Sequence, residues 1–245
     1  MKNTAKLSGG QTRLRLGRAK VKLLASYYGH PARDLRLICI TGTTGKTTVA
    51  HFVHEILRAA SQPAAILASE HTIKASVLHK FLNDAWKAKV TYAVITAPAE
   101  ALDSEVFYGL PIHAAAMTDF LPNNLSEEEA KAYLEAKATL FKMDPEIVVL
   151  NRDDIHYPDF AGFRGKTETL TYGASSDSDM RIEFSKLYRK GSEASLSFGN
   201  KTFTVASFLT GEPMISYMAC AAAIATALNI SPAVISEGIA NYEQK

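Results

Sequence analysis

The chain has little cysteine: two residues, Cys39 and Cys220, among 245. One lies in an apolar run and the other in an alanine-rich stretch, which excludes a disulfide-stapled secreted scaffold and suits reduced thiols packed in a core. The expected compartment is a reducing cytoplasm. Long apolar runs are also missing. No stretch is long enough to span a bilayer, and the N-terminus has no uninterrupted apolar segment leading to a small-residue cleavage site, so a soluble, non-exported protein is expected. Net charge is small, +2, which gives no bulk electrostatic reason for a nucleic-acid partner. The seven histidines show no spacing against cysteines or acids that marks zinc. Trp86, the single tryptophan, and the tyrosines form no stacking array. Internal repeats and low-complexity tracts are absent.

The charge that is present lies unevenly. Lys2, Lys6, Arg13, Arg15, Arg18, Lys20 and Lys22 precede the first acid, Asp34. A solvated helix face with a frayed terminus is the plain reading of this arm; an anionic ligand, an acidic partner or a membrane surface are the functional ones. The sequence leaves all of them open.

The richest segment begins with the β-prone run Leu37-Ile38-Cys39-Ile40, which breaks into Thr41-Gly42-Thr43-Thr44-Gly45-Lys46-Thr47-Thr48, a glycine loop and a helix start. Gly42 and Gly45 let backbone N–H groups turn inward with no Cβ in the way, and a helix opening at Thr47 adds the positive end of its dipole. Anion binding follows from that geometry. Lys46 supplies a mobile charge for terminal phosphates and the Thr47 hydroxyl a natural magnesium ligand, so Thr41 through Thr48 form the expected nucleoside triphosphate site. The commonest form of the motif has another glycine five positions before Gly45, where Ile40 stands, so this is the short variant G-x-x-G-K-T. A bland glycine turn with a surface lysine would give no reason for strand, loop and helix to follow in this order.

From residue 35 apolar runs of strand length alternate with helical stretches. After a leader helix over 12–28, ended by Gly29-His30-Pro31, strands are predicted over 37–41, 64–68, 92–97, 112–118 and 146–150. Helices are predicted over 47–60 and 76–88, near 99–107, and from the Ser126 cap with Glu127, Glu128 and Glu129 through Phe141. This pattern predicts an α/β fold of the P-loop type, a mostly parallel sheet flanked by helices. Beyond Asn151 the runs 167–172, 181–188, 194–198 and 203–206 alternate with polar residues, predicting antiparallel hairpins and hence a β meander in the second half. Two C-terminal helices, 214–228 and one opening at Ser231-Pro232, close the chain. The expected organisation is a basic leader over 1–34 and one nucleotide-binding domain over 35–245.

Four segments carry a family resemblance: Thr41 through Thr48, Tyr133-Leu134-Glu135-Ala136-Lys137-Ala138-Thr139-Leu140-Phe141, Val148-Val149-Leu150-Asn151-Arg152-Asp153-Asp154, and Thr171-Tyr172-Gly173. In order and spacing they resemble the ATP-binding central domain of the Mur ligases, nearest to the kind that adds the third amino acid to a UDP-N-acetylmuramoyl peptide. The lead-in Tyr27-Tyr28-Gly29-His30-Pro31 is similar to that of short relatives without the usual N-terminal UDP-binding domain. The resemblance implies ATP-driven amide formation on a peptidoglycan precursor, with ATP and Mg2+ as cofactors and a UDP-muramyl peptide as partner. A carboxylate attacks the γ-phosphate, and an amine then opens the acyl phosphate. Carried over by position, Gly42, Gly45 and Lys46 hold phosphates and Thr47 takes a magnesium. Lys137 matches the lysine that the family carbamylates to bridge metals, and Asn151 and Asp154 fall where base and ribose are approached. Lys46 and Lys137 are therefore the expected catalytic residues.

Departures accompany these matches. The family's strand at 93–96 ends in a magnesium-binding glutamate; this chain has Thr96, with Glu100 four residues on where a histidine is usual. The next strand normally runs into Thr-Asn and then Asp-His, and here reads Thr118-Asp119, Phe120-Leu121-Pro122 and Asn123-Asn124. Amide carbonyls bind magnesium weakly beside carboxylates, so a two-metal site would have to be rebuilt, for instance around Asp119. Met214 and Tyr217 stand where asparagines are common, and 71–80 is short where relatives contact the UDP-sugar. A catalytically degenerate nucleotide-binding or regulatory protein of the same fold is thus the alternative to a ligase domain, and a folylpolyglutamate-type ATPase a more distant one. Lys245 falls where the central domain hands over to a third domain, so a shortened chain and a single-domain descendant both stay open.

Overall fold

Strand β1 (Arg36–Thr41) shows how the sheet is covered. Leu37 and Cys39 point into one layer, Ile38 and Ile40 into the other, and all four are fully buried. Two buried faces leave no place for a polar side, which is why the run reads as continuously apolar. The structure is a computed structural model that describes residues 11–242, with side chains from 17 onward. Of the basic arm, Lys2 and Lys6 and the side chains of Arg13 and Arg15 lie outside the described residues.

Around β1 the chain runs α1 (Gln11–Tyr27), then β1, α2 (Lys46–Ala59), β2 (Ala64–Leu67), α3 (Ala75–Lys87), β3 (Tyr92–Thr96), α4 (Ala99–Asp103), β4 (Ile112–Met117), α5 (Glu127–Phe141), β5 (Ile147–Asn151) and α6 (Tyr157–Phe160). There follow β6 (Glu168–Gly173), β7 (Met180–Tyr188), β8 (Gly191–Phe198), β9 (Lys201–Ser207), α7 (Pro213–Ala227) and α8 (Pro232–Ala240). Among the described residues these strands form one sheet in the order β2-β3-β1-β4-β5-β6-β7-β8-β9, parallel as far as β7 and antiparallel through β8 and β9. The α/β class, the mostly parallel sheet, the meander and the two closing helices are those the sequence predicts.

Helices cover both faces. Val49, Phe52, Val53 and Ile56 of α2, with the alanine-rich α7 and with α8, pack on Ile38, Ile40, Val94 and Val149. On the other face Leu78 and Leu82 of α3, Leu102 of α4 and Leu140 of α5 pack on Leu37, Cys39, Ile95 and Val148. Each fully buried aliphatic of this size contributes about 1.5–3 kcal/mol of transfer free energy. Leader helix α1 joins the second layer through Val21, which is buried, and Arg18 donates from Nη2 to Glu105 Oε1 at 2.7 Å and lies over the Tyr108 ring. No helix among the described residues is long and apolar enough to cross a membrane.

Two expectations are corrected. Residues 167–172 belong to β6, which pairs in parallel with β5 from Ile147↔Glu168 to Asn151↔Tyr172, so the meander holds only β7, β8 and β9. A parallel pair ordinarily needs a crossover of about a dozen residues. Here only Tyr172↔Met180 and Gly173↔Arg181 pair, so β7 carries on where β6 stops, one strand over, and needs no crossover. The helix near 99–107 ends at Asp103, because Glu105 takes a left-handed φ of 55° that no α-helix continues through. The Ser126 cap does form as a reciprocal box: Ser126 N donates to Glu129 Oε2 at 2.9 Å and Glu129 N to Ser126 Oγ at 3.3 Å.

The connection leaving β1 leads to β2 on one side of the sheet and the one leaving β4 leads to β5 on the other. Their carboxyl ends are neighbours, so a crevice opens between them at the point where open α/β sheets bind ligands.

Candidate nucleotide site

The loop from Thr41 to Lys46 leaves β1 and enters α2 at that crevice. Gly42 has φ 152° and Gly45 φ 74°, and neither position accepts a side chain. A Cβ on Gly42 would fall 1.7 Å from Thr118 Oγ1, and one on Gly45 2.2 Å from the Tyr217 ring. Helix α2 starts at Lys46 without a side-chain cap, so its first N–H groups are left for a ligand. A cavity of about 270 Å³ lies over them, lined by Thr43, Thr44, Gly45, Lys46, Thr47, Thr48 and Glu70.

Side chains from the end of β4 brace the loop from behind. Asp119 Oδ1 accepts from Thr43 N at 2.7 Å and Thr44 N at 2.8 Å, and its Oδ2 accepts from Thr44 Oγ1. Thr118 Oγ1 donates to Thr44 O at 2.6 Å, Leu121 N donates to Thr43 Oγ1 at 2.9 Å, and the Tyr217 hydroxyl lies 2.8 Å from Thr44 Oγ1. A carboxylate has about four lone-pair sites, so Asp119, expected as a magnesium ligand, keeps little capacity beyond this brace. Thr41 feeds the loop from β1 and accepts from Thr118 N through its carbonyl at 2.9 Å. Lys46 Nζ is folded onto the loop's own carbonyls, Gly42 O at 2.9 Å and Thr43 O at 3.0 Å. Burial pushes its pKa down, against the opposing charges of Asp119, Glu100 and Glu70.

Lys137 rises from α5 toward the same place. It is fully buried, its Nζ has no hydrogen-bond partner among the described residues, and the Tyr133 ring lies 4.4 Å from it. Burial first, and the charge of Lys46 second, hold its pKa down at about 7, while Asp119 and Glu100 pull the other way. An amine enclosed with no acceptor is costly, and it marks a place where an anionic group completes the surroundings.

The remaining expected residues sit at the ends of β4 and β5. Asn151 Nδ2 donates to Thr118 O at 3.0 Å and its Oδ1 accepts from Asp153 N at 3.0 Å. Asp154 accepts from Phe120 N at 2.5 Å and His156 N at 2.8 Å, so it fastens the segment after β4 to the segment after β5. Thr96 is buried and spends its hydroxyl on the segment just past β2: it accepts from Ser69 N at 2.9 Å and donates to Ser69 O at 3.0 Å. Asn123 and Asn124 are exposed, and among the described residues no group of three or more His, Cys, Asp or Glu is arranged to hold a metal ion. Sequence reasoning passes over Glu70 in the cavity wall, and it names Tyr133 and Tyr217 without the places they take, beside Lys137 and with a hydroxyl on the loop. Glu70 does carry a signal, an acid three positions past an apolar strand in a sheet whose carboxyl ends bind ligands.

Fold and loop together define an α/β domain of the phosphate-loop class. Its sequence matches the Mur ligase middle domain over residues 40–225, and the chain belongs to that family. The UDP-N-acetylmuramoyl-L-alanyl-D-glutamate–2,6-diaminopimelate ligases of Bacillus licheniformis and Solibacter usitatus are 32% and 29% identical over 91% and 93% of this chain. The chain spans about half the length of these curated relatives, 50% in each case. A solved ligase of the same description superposes with a TM-score of 0.82 at 24% identity, covering 95% of this chain and 51% of that one. The fold also recurs in a MurF ligase from Thermotoga maritima in complex with ADP, at TM-score 0.69, 16% identity and coverage of 100% and 54%, and in an FPGS–AMPPCP complex, at 0.71, 17% and coverage of 93% and 68%.

Proposed function

We propose that this chain binds ATP with magnesium in the loop from Thr41 to Thr48 and serves, in the cytoplasm, an amide-forming ligation on a UDP-muramyl peptide through an acyl phosphate. One observation carries it: a Cβ-free loop at the carboxyl end of a central strand opens onto the uncapped start of α2, under a cavity that Lys46 and Thr47 line. The ADP and AMPPCP complexes of the structural neighbours support nucleotide binding by a chain of this fold. Residues 1–34 are read as a leader, of which helix α1 packs through Val21 on the domain that begins at residue 35.

In this reading backbone N–H groups at the start of α2 take the phosphates, and Lys46 swings from the carbonyls of Gly42 and Thr43 to the terminal ones. That move separates a cation from neutral acceptors and places it against an anion, so it is favoured once phosphate arrives. Asn151 and Asp154 flank the base and ribose. Thr47, the last acceptor site of Asp119 and a carbamylated Lys137 would hold magnesium, whose chemistry here is to neutralise charge on the transferring phosphoryl group. A buried amine near pKa 7 is largely neutral at pH 8 and so able to add carbon dioxide, releasing one proton and gaining the negative charge its surroundings lack.

Calorimetry of ATP at millimolar magnesium tests the reading. Lys46→Ala is expected to weaken binding about a hundredfold or more, since it removes the one charge that follows the phosphates; absence of nucleotide binding by the unsubstituted chain overturns the proposal. The degenerate alternative draws on Thr96 and the exposed Asn123 and Asn124, which leave the rim short of carboxylates. Phosphate release by this chain with a muramyl peptide would exclude it.

A further inference from the structure

We propose that Glu70 is the carboxylate this chain sets against a nucleotide-bound magnesium ion, in place of the glutamate missing where β3 ends in Thr96. The inference rests on the nucleotide reading of the loop. Glu70 lines the same cavity as Thr43 through Thr48, whereas Glu100 does not. Its carboxylate makes no hydrogen bond or ion pair among the described residues, while Asp119 gives three of its acceptor sites to the loop and keeps one. Its charge also reaches Lys46, after those of Asp119 and Glu100, so it is its place in the cavity wall that sets Glu70 apart from Glu100.

The substitution at 96 explains how Glu70 comes to stand there. Strand β2 pairs with β3 in parallel from Ala64↔Tyr92 to Leu67↔Ile95, so the chain beyond Leu67 emerges beside Thr96. Thr96 then holds Ser69 at both its N–H and its carbonyl, at 2.9 and 3.0 Å. The residue after this double tie is Glu70. The position that gives up the family's carboxylate is therefore the one that anchors its substitute, one strand over and still at the carboxyl edge.

The chemistry suits the ion. Magnesium keeps several waters and binds proteins through one or two carboxylates together with substrate phosphates, so one acid at the mouth beside the Thr47 hydroxyl is an adequate protein share. The same acid without metal faces a triphosphate of like charge. Glu70 thus acts with opposite sign in the two cases, which a residue that merely shaped the loop would not do.

The test is titration of AMPPCP into the full chain by calorimetry, in excess EDTA and at saturating magnesium, with manganese and water-proton relaxation as an independent report of bound metal. Glu70 is exposed, so Glu70→Gln leaves the fold intact. The variant is expected to bind the magnesium complex about tenfold more weakly and the metal-free analogue more tightly, and to lose most of the manganese relaxation enhancement. An unchanged ratio of the two affinities, with unchanged relaxation, overturns the assignment of Glu70. Where that result comes with nucleotide binding that Lys46→Ala abolishes, the nucleotide reading survives; where the unsubstituted chain binds no nucleotide in either condition, both fall.

Discussion

The loop from Thr41 to Thr48 and the strand ends around it lie side by side at the carboxyl edge of the sheet but depend on different things. The loop works through backbone: Gly42 and Gly45 are fixed by conformation and by the contacts a Cβ would make with Thr118 and Tyr217. The rim works through side chains, and there Thr96, Asp119, Asn123 and Asn124 stand where the resemblance leads one to expect other residues. Backbone donors at a helix start are bound to the fold that makes them, whereas a carboxylate can be delivered from any strand end that reaches the cavity. A loop kept whole beside an altered rim is therefore compatible with a metal site supplied by other residues.

The largest expected effect concerns the charge buried between the two regions. Lys137 titrates near 7 in the folded chain against an ordinary 10.5. Between those values the unfolded chain binds more protons, so stability rises with pH across that window, and below pH 7 the burial penalty is present in full. Lys137→Met fills similar volume without charge. It is expected to raise the unfolding free energy at pH 6 by on the order of 4 kcal/mol, with the advantage shrinking toward pH 10. Urea melts at pH 6, 8 and 9.5 in buffer free of carbon dioxide measure it; an equal gain at all three would mean that titration of Lys137 is not the cause.

Next comes the brace between loop and rim. Asp119→Asn keeps an acceptor for Thr43 N and Thr44 N and removes a negative charge from the back of the cradle. Nucleotide affinity in EDTA is expected to rise about tenfold, with the melting temperature little changed. Weaker or equal affinity in that titration would show that the charge of Asp119 does not reach the phosphates.

How much of this was legible follows the same division. The loop announces itself because glycine spacing, strand and helix are all local, and the parallel sheet because β1 and β3 are apolar on both faces. Strand β6 misleads because Thr169 and Thr171 alternate with Leu170 and Tyr172 as in a hairpin strand, while its partnership with β5 is a long-range fact. The burial of Lys137 is readable in hindsight, since Tyr133, Ala136, Lys137 and Leu140 fall on one helical stripe and the lysine interrupts its apolar face. Glu70 is hidden because its place depends on the register of β2 against β3, and no local pattern states that register.

The smallest effect bears on that hidden placement. Thr96→Val keeps the shape of the buried site and removes the hydroxyl, leaving Ser69 N without its partner at a cost of about 1 kcal/mol in a urea melt. The carboxylate of Glu70 remains while the backbone before it, at Ser69, loses its tie, so the gain in AMPPCP affinity on adding magnesium should fall by only a few-fold, less than in Glu70→Gln. A full gain with the hydroxyl gone would mean that Glu70 finds the ion without help from Thr96. A loss as large as that of Glu70→Gln would mean that the tether, more than the charge, decides where metal binds on this rim.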